Sequence, residues 1–285
     1  MTHKLLALFG LKWNPFSAEV PVEALWSTPK LEHFCWRMEN QVREGGFALV
    51  TGDPGTGKSV ALRVLAHQLS TVPDVQLGVV TRPQSGLGDF YRELGQLFGV
   101  ALSPHNRWTG FKALRQRWLT HLEATRYRPV ILVDEAQEMP VPVMAELRIL
   151  ASADFDSRSI LTVVLAGDGR LVQQFRREDL LPVASRIRVR LALDYIAPKD
   201  LLEALRHALA QAGNPQLITP ELMVTLSEHA AGNLRVLATM ANELLATAAR
   251  RELNQLDQKL YFEVFSSTPR PKSKPAPTAE HAVRP

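Results

Sequence analysis

GDPGTGKS, residues 52 to 59, is the stretch that decides the fold class of this 285-residue chain. It matches the pattern G-x-x-x-x-G-K followed by Ser or Thr, and it lies between the apolar run Phe47 to Thr51 and the helical pattern Gly57 to Ser70. Glycines in such a connection let successive backbone N–H groups turn inward, and the positive end of the following helix dipole faces the same point. The stretch therefore predicts a loop that holds phosphate groups.

Each part of this loop has an expected role. Lys58 is expected to neutralise the β and γ phosphates of ATP, and Ser59 to hold Mg²⁺ through its hydroxyl. The alternative is a glycine-rich turn that binds nothing, and the agreement of motif and context argues against it. The expected nucleotide-binding residues are Gly52, Asp53, Pro54, Gly55, Thr56, Gly57, Lys58, Ser59 and Val60.

A second apolar run, Val130 to Val133, is followed directly by the carboxylates Asp134 and Glu135. Ligands of open α/β sheets bind beyond the carboxyl ends of the strands. Asp134 is expected to hold Mg²⁺ through water, and Glu135 to act as the base that polarises the attacking water. An ordinary surface turn is the alternative, but the place of this pair downstream of the phosphate-binding loop favours catalysis.

Short apolar runs alternate with helical patterns through residues 29–194, which predicts an α/β fold with a parallel sheet covered by helices on both faces. After residue 194 only helical patterns follow, so residues 195–265 are expected to form a small helical lid domain. Residues 1–28 are expected to form an N-terminal arm, and the Pro- and Lys-rich residues 266–285 a disordered tail. The other predicted strands are Val75 to Thr81, Leu161 to Ala166 and Val189 to Leu193.

Composition and charge indicate which partners and which cellular compartment to expect. The formal net charge of +4 and the pI near 9.3 favour an anionic partner, although a solvated surface with a basic tail has the same balance. Cys35 is the only cysteine, so an internal disulfide is impossible. The sequence has no recognisable secretory signal and no run of about 18 apolar residues. We therefore expect a cytoplasmic protein without a membrane partner.

The order of these motifs over about residues 5 to 250 resembles the AAA+ class of P-loop ATPases. Within that class it is most similar to the ExeA-like group, whose members include transposon helper ATPases of the TniB, TnsC, IstB and MuB kind. The opening FGLKWNPF, Phe9 to Phe16, is similar to the start of ExeA-like proteins, a segment that lies near the adenine in AAA+ proteins. The resemblance implies an ATP hydrolase that requires Mg²⁺.

The resemblance also implies two residues that sense the nucleotide. Asp168, in the GDG that follows a predicted strand, takes the position of a γ-phosphate sensor, where family members usually carry a neutral amide or hydroxyl. An acid there is repelled by a triphosphate unless it binds water or magnesium. Arg235, in the stretch GNLR, resembles the second sensor at the start of a lid helix, with a solvent-facing arginine as the alternative.

Arg186, in the stretch ASRIR, is similar to the arginine finger that one AAA+ subunit offers to the nucleotide of its neighbour. Such a group stabilises charge in the transition state, and it implies a homo-oligomer. Arg188 and Arg190 alternate with apolar residues on the next predicted strand. They are therefore either exposed strand charges or the true finger displaced along the chain.

Two polar segments are expected to contact DNA. The first, Arg82 to Ser85, resembles the loop that transposon ATPases use against DNA, and the second is the predicted loop His105 to Gly110. Their side chains suit contact with phosphates rather than base reading, whereas ordinary polar connections would have a similar composition. The candidate residues are Arg82, Gln84, Ser85, Arg107 and Thr109.

The function that the resemblance implies is regulation of transposition. The protein would oligomerise with ATP as a ring or filament on duplex DNA, largely independently of sequence, and recruit or activate a transposase together with a target-selection protein. The alternative is a nucleotide-switched ATPase that acts on a protein partner, including an ExeA-like secretion role.

Overall fold

The computed structural model of the protein describes residues 3–102 and 107–265. Five of its strands form one parallel sheet, and two short strands form a separate antiparallel hairpin. The strands are β1 (Gly46–Gly52), β2 (Leu77–Val80), β3 (Val130–Val133), β4 (Ser152–Ala153), β5 (Arg158–Ser159), β6 (Thr162–Gly167) and β7 (Ile187–Leu193). The order across the large sheet is β2-β3-β6-β1-β7, so β6 separates β1 from β3.

Helices cover both faces of the sheet and form the C-terminal part of the described chain. They are α1 (His3–Phe9), α2 (Pro29–Glu44), α3 (Lys58–Ser70), α4 (Leu87–Leu97), α5 (Arg107–Thr125), α6 (Val141–Ala151), α7 (Gly169–Gln174), α8 (Leu181–Ala184), α9 (Pro198–Ala212), α10 (Pro220–His229), α11 (Leu234–Arg250) and α12 (Gln258–Phe265). Within residues 3–102 and 107–265, no helix has the length and hydrophobicity needed to cross a membrane.

The predicted parallel sheet with helices on both faces is confirmed. Side chains of β1 alternate between the two faces: Phe47 and Leu49 pack with α4 to α8, whereas Ala48 and Val50 pack with α2 and α3. Leu65 of α3 is fully buried under the second face, and burial of a leucine contributes about 1.5–3 kcal/mol. Strands buried on both faces explain the nearly continuous apolar runs of the sequence.

Several predicted elements have different bounds in the structure, among them one predicted loop and the predicted second strand. The sequence analysis placed Arg107 and Thr109 in a loop, and this prediction is wrong, because α5 begins at Arg107. Trp108 stacks on Phe111 with 5.6 Å between the ring centroids, and the ammonium of Lys112 lies 4.9 Å from the Trp108 ring. Contacts between side chains three and four residues apart stabilise a helical turn.

The predicted strand Val75 to Thr81 is shorter in the structure. Only Leu77–Val80 forms β2, and its register matches each of these residues to one residue of β3. Since β3 has four residues and is the neighbour to which β2 is hydrogen-bonded in the sheet, the ladder ends where β3 ends. The predicted run therefore extends beyond the residues that can pair.

Helices α9 to α12 share an apolar cluster with the first helix of the chain. Phe9 and Leu11 are buried in this cluster. The backbone N–H of Lys12 donates to the carbonyl of Ala212 at 2.8 Å, and the side-chain amide of Asn214 donates to the carbonyl of Phe9 at the same distance. The start of the chain is thus packed on the C-terminal helices.

Candidate active site

The phosphate-binding motif forms the connection from β1 to α3. Gly55 and Gly57 have φ values of 85° and 102°, in the left-handed region that favours glycine. A Cβ atom at Gly55 would lie 2.1 Å from the Oδ1 atom of Asn233, so the backbone approaches a neighbouring side chain closely there. The predicted strand, loop and helix are therefore present in the expected order.

Lys58 lies on the inner side of this loop. Its ammonium donates hydrogen bonds to the carbonyl of Gly52 at 2.9 Å and to the carbonyl of Asp53 at 3.1 Å, and the residue is only 6% exposed. The hydroxyl of Thr56 donates to the carbonyl of Asp53 at 2.8 Å. Side chains of the motif thus hold the loop backbone in its curved conformation, with the positive charge of Lys58 inside the curve.

Ser59, in the first turn of α3, contacts Asp134, which follows β3, although β1 and β3 are not neighbours in the sheet. The hydroxyl of Ser59 donates to Oδ2 of Asp134 at 2.7 Å, and Oδ1 of Asp134 accepts the backbone N–H of Glu135 at 2.9 Å. A hydroxyl and a carboxylate are hard oxygen ligands of the type that Mg²⁺ binds. The part of the chain that the structure describes has no group of three or more His, Cys, Asp or Glu side chains that could hold a metal ion. Mg²⁺ commonly takes few ligands from the protein and the others from phosphates and water.

Glu135 is exposed and has a φ of 50°, an uncommon conformation for a residue with a side chain. Its carboxylate accepts a hydrogen bond from the side-chain amide of Gln137, a residue that the sequence analysis missed. The amide oxygen of Gln137 accepts the backbone N–H of Asp168 at 3.3 Å. Gln137, which is 5% exposed, therefore joins the carboxyl ends of β3 and β6.

Space for the Gln137 side chain depends on a glycine. A Cβ atom at Gly167 would lie 2.6 Å from the amide oxygen of Gln137. From the other side, the side-chain amide of Gln174 donates to the Gln137 carbonyl at 2.9 Å. The sequence shows Gln137 two residues after Glu135, which was a signal that its amide could contact this carboxylate. Nothing in the neighbouring sequence indicated that Gln137 would also contact β6.

The carboxylate of Asp168 faces an arginine. It accepts the backbone N–H of Arg170 at 2.9 Å and forms an ion pair with the guanidinium of the same residue at 2.9 Å. Arg170 also pairs with Glu138 at 2.9 Å, and its hydrogen bond to Asp168 raises the pKa of its guanidinium. The neutralising partner that an acid near phosphates needs is thus provided by Arg170. The sensor role of Asp168 stays a prediction.

The helix α11 contacts the phosphate-binding loop with its first turn. The backbone N–H of Leu234 donates to the carbonyl of Gly55 at 3.1 Å, and the side-chain amide of Asn233 donates to the carbonyl of Pro54 at 3.0 Å. Asn233 also caps the helix, because its Oδ1 accepts the backbone N–H of Arg235 at 3.0 Å. Arg235 is exposed on this first turn, and its role as second sensor stays a prediction.

Arg186 lies at the other end of the sheet. Its carbonyl accepts the backbone N–H of Phe47 at the start of β1, roughly 17 Å along the strand from Gly52 at about 3.3 Å per residue. Its guanidinium forms an ion pair with Asp156 of the same chain, and burial followed by the charge of Arg148 lowers its pKa. Arg186 therefore does not face the phosphate-binding loop of its own chain.

The alternative arginine fingers, Arg188 and Arg190, and the predicted DNA contacts lie in different parts of the structure. Arg188 and Arg190 are exposed on β7, and Arg188 pairs with Glu44 at 3.3 Å. Arg82 and Gln84 are exposed and Ser85 half-buried beyond the carboxyl end of β2, while Thr109 is exposed in the first turn of α5. Residues 105 and 106 of the second predicted loop lie outside the described residues, as does the predicted tail 266–285.

Comparison with known proteins relates residues 41–175 to the family described as AAA domain. The chain is 31% identical over 252 residues to General secretion pathway protein A of Aeromonas hydrophila. This match covers 85% of the chain and 44% of the relative, so the chain spans less than half the length of that protein.

Two solved structures show how far the fold is shared. The ORC2 protein of Aeropyrum pernix, solved as ADPNP-ADP complexes, matches with a TM-score of 0.71 at 14% identity, over 91% of this chain and 73% of that one. The Aeropyrum pernix ORC1 protein, solved in complex with DNA, matches with a TM-score of 0.63 at 16% identity, over 93% and 69%. The expected AAA+ fold is confirmed, and the narrower resemblance to transposon helpers stays a prediction.

Proposed function

We propose that this chain is an Mg²⁺-dependent ATPase. Residues 41–175 match the AAA domain family, and most of the length of this chain is related to General secretion pathway protein A. The observation that carries the proposal is the 2.7 Å contact between Ser59 and Asp134 beside the inward-facing Lys58. This contact places the two proposed metal ligands next to the charge that would neutralise the phosphates.

The residues that take part in the proposed reaction lie at the carboxyl ends of the parallel strands, which we call the carboxyl edge of the sheet. Lys58 and the backbone N–H groups of the loop bind the phosphates, and Ser59 and Asp134 hold Mg²⁺, which supplies charge neutralisation when it is bound. Glu135 accepts the proton of the attacking water, and Gln137 holds the carboxylate of Glu135 in place. Because γ-phosphoryl transfer depends on positioning and charge, fixing the base is as important as having it.

The proposed assembly depends on Arg186, which lies at the amino ends of the strands, the amino edge of the sheet. Since Arg186 is remote from the phosphate-binding loop of its own chain, it can stabilise a γ phosphate only in a neighbouring subunit. In the single chain its charge is neutralised by Asp156. Assembly as a ring or filament would therefore exchange this ion pair for a contact with the neighbour's nucleotide.

Duplex DNA is the first candidate for the partner on which the ATPase acts, as in a regulator of transposition that recruits a transposase. Support comes from the net charge of +4, from the exposed Arg82 and Gln84 beyond β2, and from the shared fold of an ORC1 protein solved with DNA. Contacts of this type bind phosphates and would be largely independent of sequence.

A protein-partner ATPase with a secretion role is the second candidate. The identity of 31% to General secretion pathway protein A favours it, although the match covers 44% of that protein. The two candidates differ in their need for DNA. In the first, DNA is part of the assembly, whereas in the second nucleotide alone controls binding to the partner.

The test is binding of the purified chain to an arbitrary labelled duplex, with and without a non-hydrolysable ATP analogue, across a salt series. Nucleotide-dependent, salt-sensitive binding that ignores sequence would support the DNA candidate. Absence of binding at low salt with the analogue present would reject it in favour of the protein-partner candidate.

A further inference from the structure

A cleft of about 590 Å³ lies at the amino edge of the sheet, opposite the candidate active site. Four of its lining residues are arginines, and we call it the arginine cleft: Arg43 at the end of α2, Arg126 and Arg128 between α5 and β3, and Arg158 in β5. Because β1, β3 and β6 begin beside these residues, the cleft is separated from the phosphate-binding loop by the length of a strand, roughly 20 Å for β1.

Positive charge dominates the arginine cleft. Glu123 is the single acidic residue among the residues that line it. Arg158 is 4.0 Å from Asp154, which is the outer limit of an ion pair. Burial, followed by the nearby charge of Arg158, lowers the pKa of Arg128, against an opposing effect of Glu44, which is itself paired with Arg188. Guanidinium groups that repel one another in a partly buried place are stabilised when an anion binds between them.

Two of the guanidinium groups are held by neutral partners. Arg43 donates to the hydroxyl of Tyr127 at 2.9 Å and lies 5.2 Å from the centre of its ring. Arg128 donates from Nε to the carbonyl of Ser159 at 3.0 Å. Since these contacts fix the groups without cancelling their charge, little side-chain entropy is lost when an anion binds.

We propose that the arginine cleft binds the phosphate backbone of duplex DNA, as a second contact surface distinct from the segment around Arg82. Several fixed guanidinium groups in one concave site match the repeated phosphates of one strand, and guanidinium binds phosphate oxygens in pairs. The surface of an anionic membrane is a less suitable ligand, because it is planar and the cleft is concave. The inference rests on the proposed DNA partner but does not need the ATP site, which lies at the other end of the strands.

The test compares salt dependence of duplex binding by the full chain and by Arg126→Asn/Arg158→Gln. Asparagine suits position 126, where φ is 69°. Loss of two phosphate contacts should reduce the magnitude of the negative slope of log K against log salt by about 2 and weaken binding at low salt about tenfold or more. The matched control, Arg92→Gln/Arg177→Gln, removes the same charge from arginines that are paired with Asp89 and Asp179. Its slope should stay close to that of the wild type.

Lys58→Ala separates this inference from the proposed ATPase. Binding that depends on the cleft should persist in this variant, whereas ATP-dependent assembly should be lost. If the double variant unfolds at a lower temperature than the wild type, Arg126→Asn alone should still lower the slope by about 1.

Four results would overturn the inference. In the first, the control loses as much of the salt slope as the cleft variant does. In the second, the cleft variant changes self-association in sedimentation but not the salt slope, and in the third the cleft binds anionic vesicles in place of DNA. In the fourth, the wild type does not bind the duplex at low salt. The last result would reject DNA as the partner without affecting the ATPase proposal, which ATP hydrolysis tests separately.

Discussion

The two edges of the parallel sheet carry opposite chemistry. At the carboxyl edge, the hydroxyl of Ser59 donates to the carboxylate of Asp134, and the side-chain amide of Gln137 joins Glu135 to Asp168. At the amino edge, arginines such as Arg128 and Arg186 bind carbonyls or single carboxylates. Since all five strands run in the same direction, the loops that follow strands lie at the carboxyl edge and the loops that precede strands lie at the amino edge, which separates the proposed nucleotide site from the arginine cleft.

The largest effect at the carboxyl edge is expected for Lys58→Ala. Removal of the inward-facing charge should lower kcat/KM for ATP hydrolysis by about 1000-fold and abolish detectable binding of the analogue, because phosphate charge is left unneutralised. Steady-state hydrolysis and calorimetric binding measure the two effects. Lys30→Ala, at an exposed lysine paired with Asp194, is the control and should keep both. Normal turnover by Lys58→Ala would show that the reaction does not use this loop.

Arg186→Ala tests whether the edges cooperate between subunits. Turnover should fall by about 100-fold or more in the assembled protein, because the variant lacks the guanidinium that is proposed to stabilise the transition state in the neighbouring subunit. The sharper measurement mixes this variant with Lys58→Ala. Each partner then supplies what the other lacks, so the mixture should recover part of the activity that neither has alone. A mixture as inactive as its components would mean that Arg186 does not act in trans.

Gln137→Leu tests the bridge between β3 and β6. We expect kcat to fall by about tenfold or more while affinity for the analogue is unchanged, because the amide positions Glu135 and does not contact the loop around Lys58. Gln173→Leu, at an exposed position of α7, is the control. A rise in KM with unchanged kcat would contradict a positioning role. Gly167→Ala should resemble Gln137→Leu, since its Cβ would displace the same amide.

The smallest expected effect concerns Asn233. Asn233→Ala removes the cap of α11 and should lower the free energy of unfolding by about 1 kcal/mol. Because the same side chain donates to the carbonyl of Pro54, affinity for the analogue should fall several-fold as well. Thr219→Ala removes a comparable cap from α10, away from the loop. It should lower stability similarly and leave affinity unchanged. Equal affinity in both variants would show that the cap does not influence the loop.

Elements with strong local signals could be predicted from the sequence. The bounds of α9 follow from Pro198 in its first turn and from Gly213, whose φ of 103° suits a helix end. The strand Val130–Val133 was predicted with its observed bounds, since its apolar run ends abruptly at Asp134. Both motifs at the carboxyl edge are continuous in sequence, so their chemistry could be inferred before any contact was known.

The remaining features depend on contacts between distant residues. The hairpin of β4 and β5 has strands of two residues and a turn in which Asp154, Phe155 and Asp156 have positive φ without a glycine, so it lacks the usual turn signal. Gln137 contacts Asp168 thirty-one positions away. The arginine cleft combines three separate segments, and no single one of them is unusual in composition.

ATP hydrolysis at the carboxyl edge, with Glu135 as the base, is the proposal on which the other roles depend. The most direct test measures ATP hydrolysis with Mg²⁺ and binding of the non-hydrolysable analogue for the wild type and for Glu135→Gln. The account predicts Mg²⁺-dependent turnover by the wild type, and for the variant an analogue affinity within about twofold of it with turnover lowered by about 100-fold or more. Normal turnover by Glu135→Gln, or a wild type that hydrolyses no ATP, would contradict it.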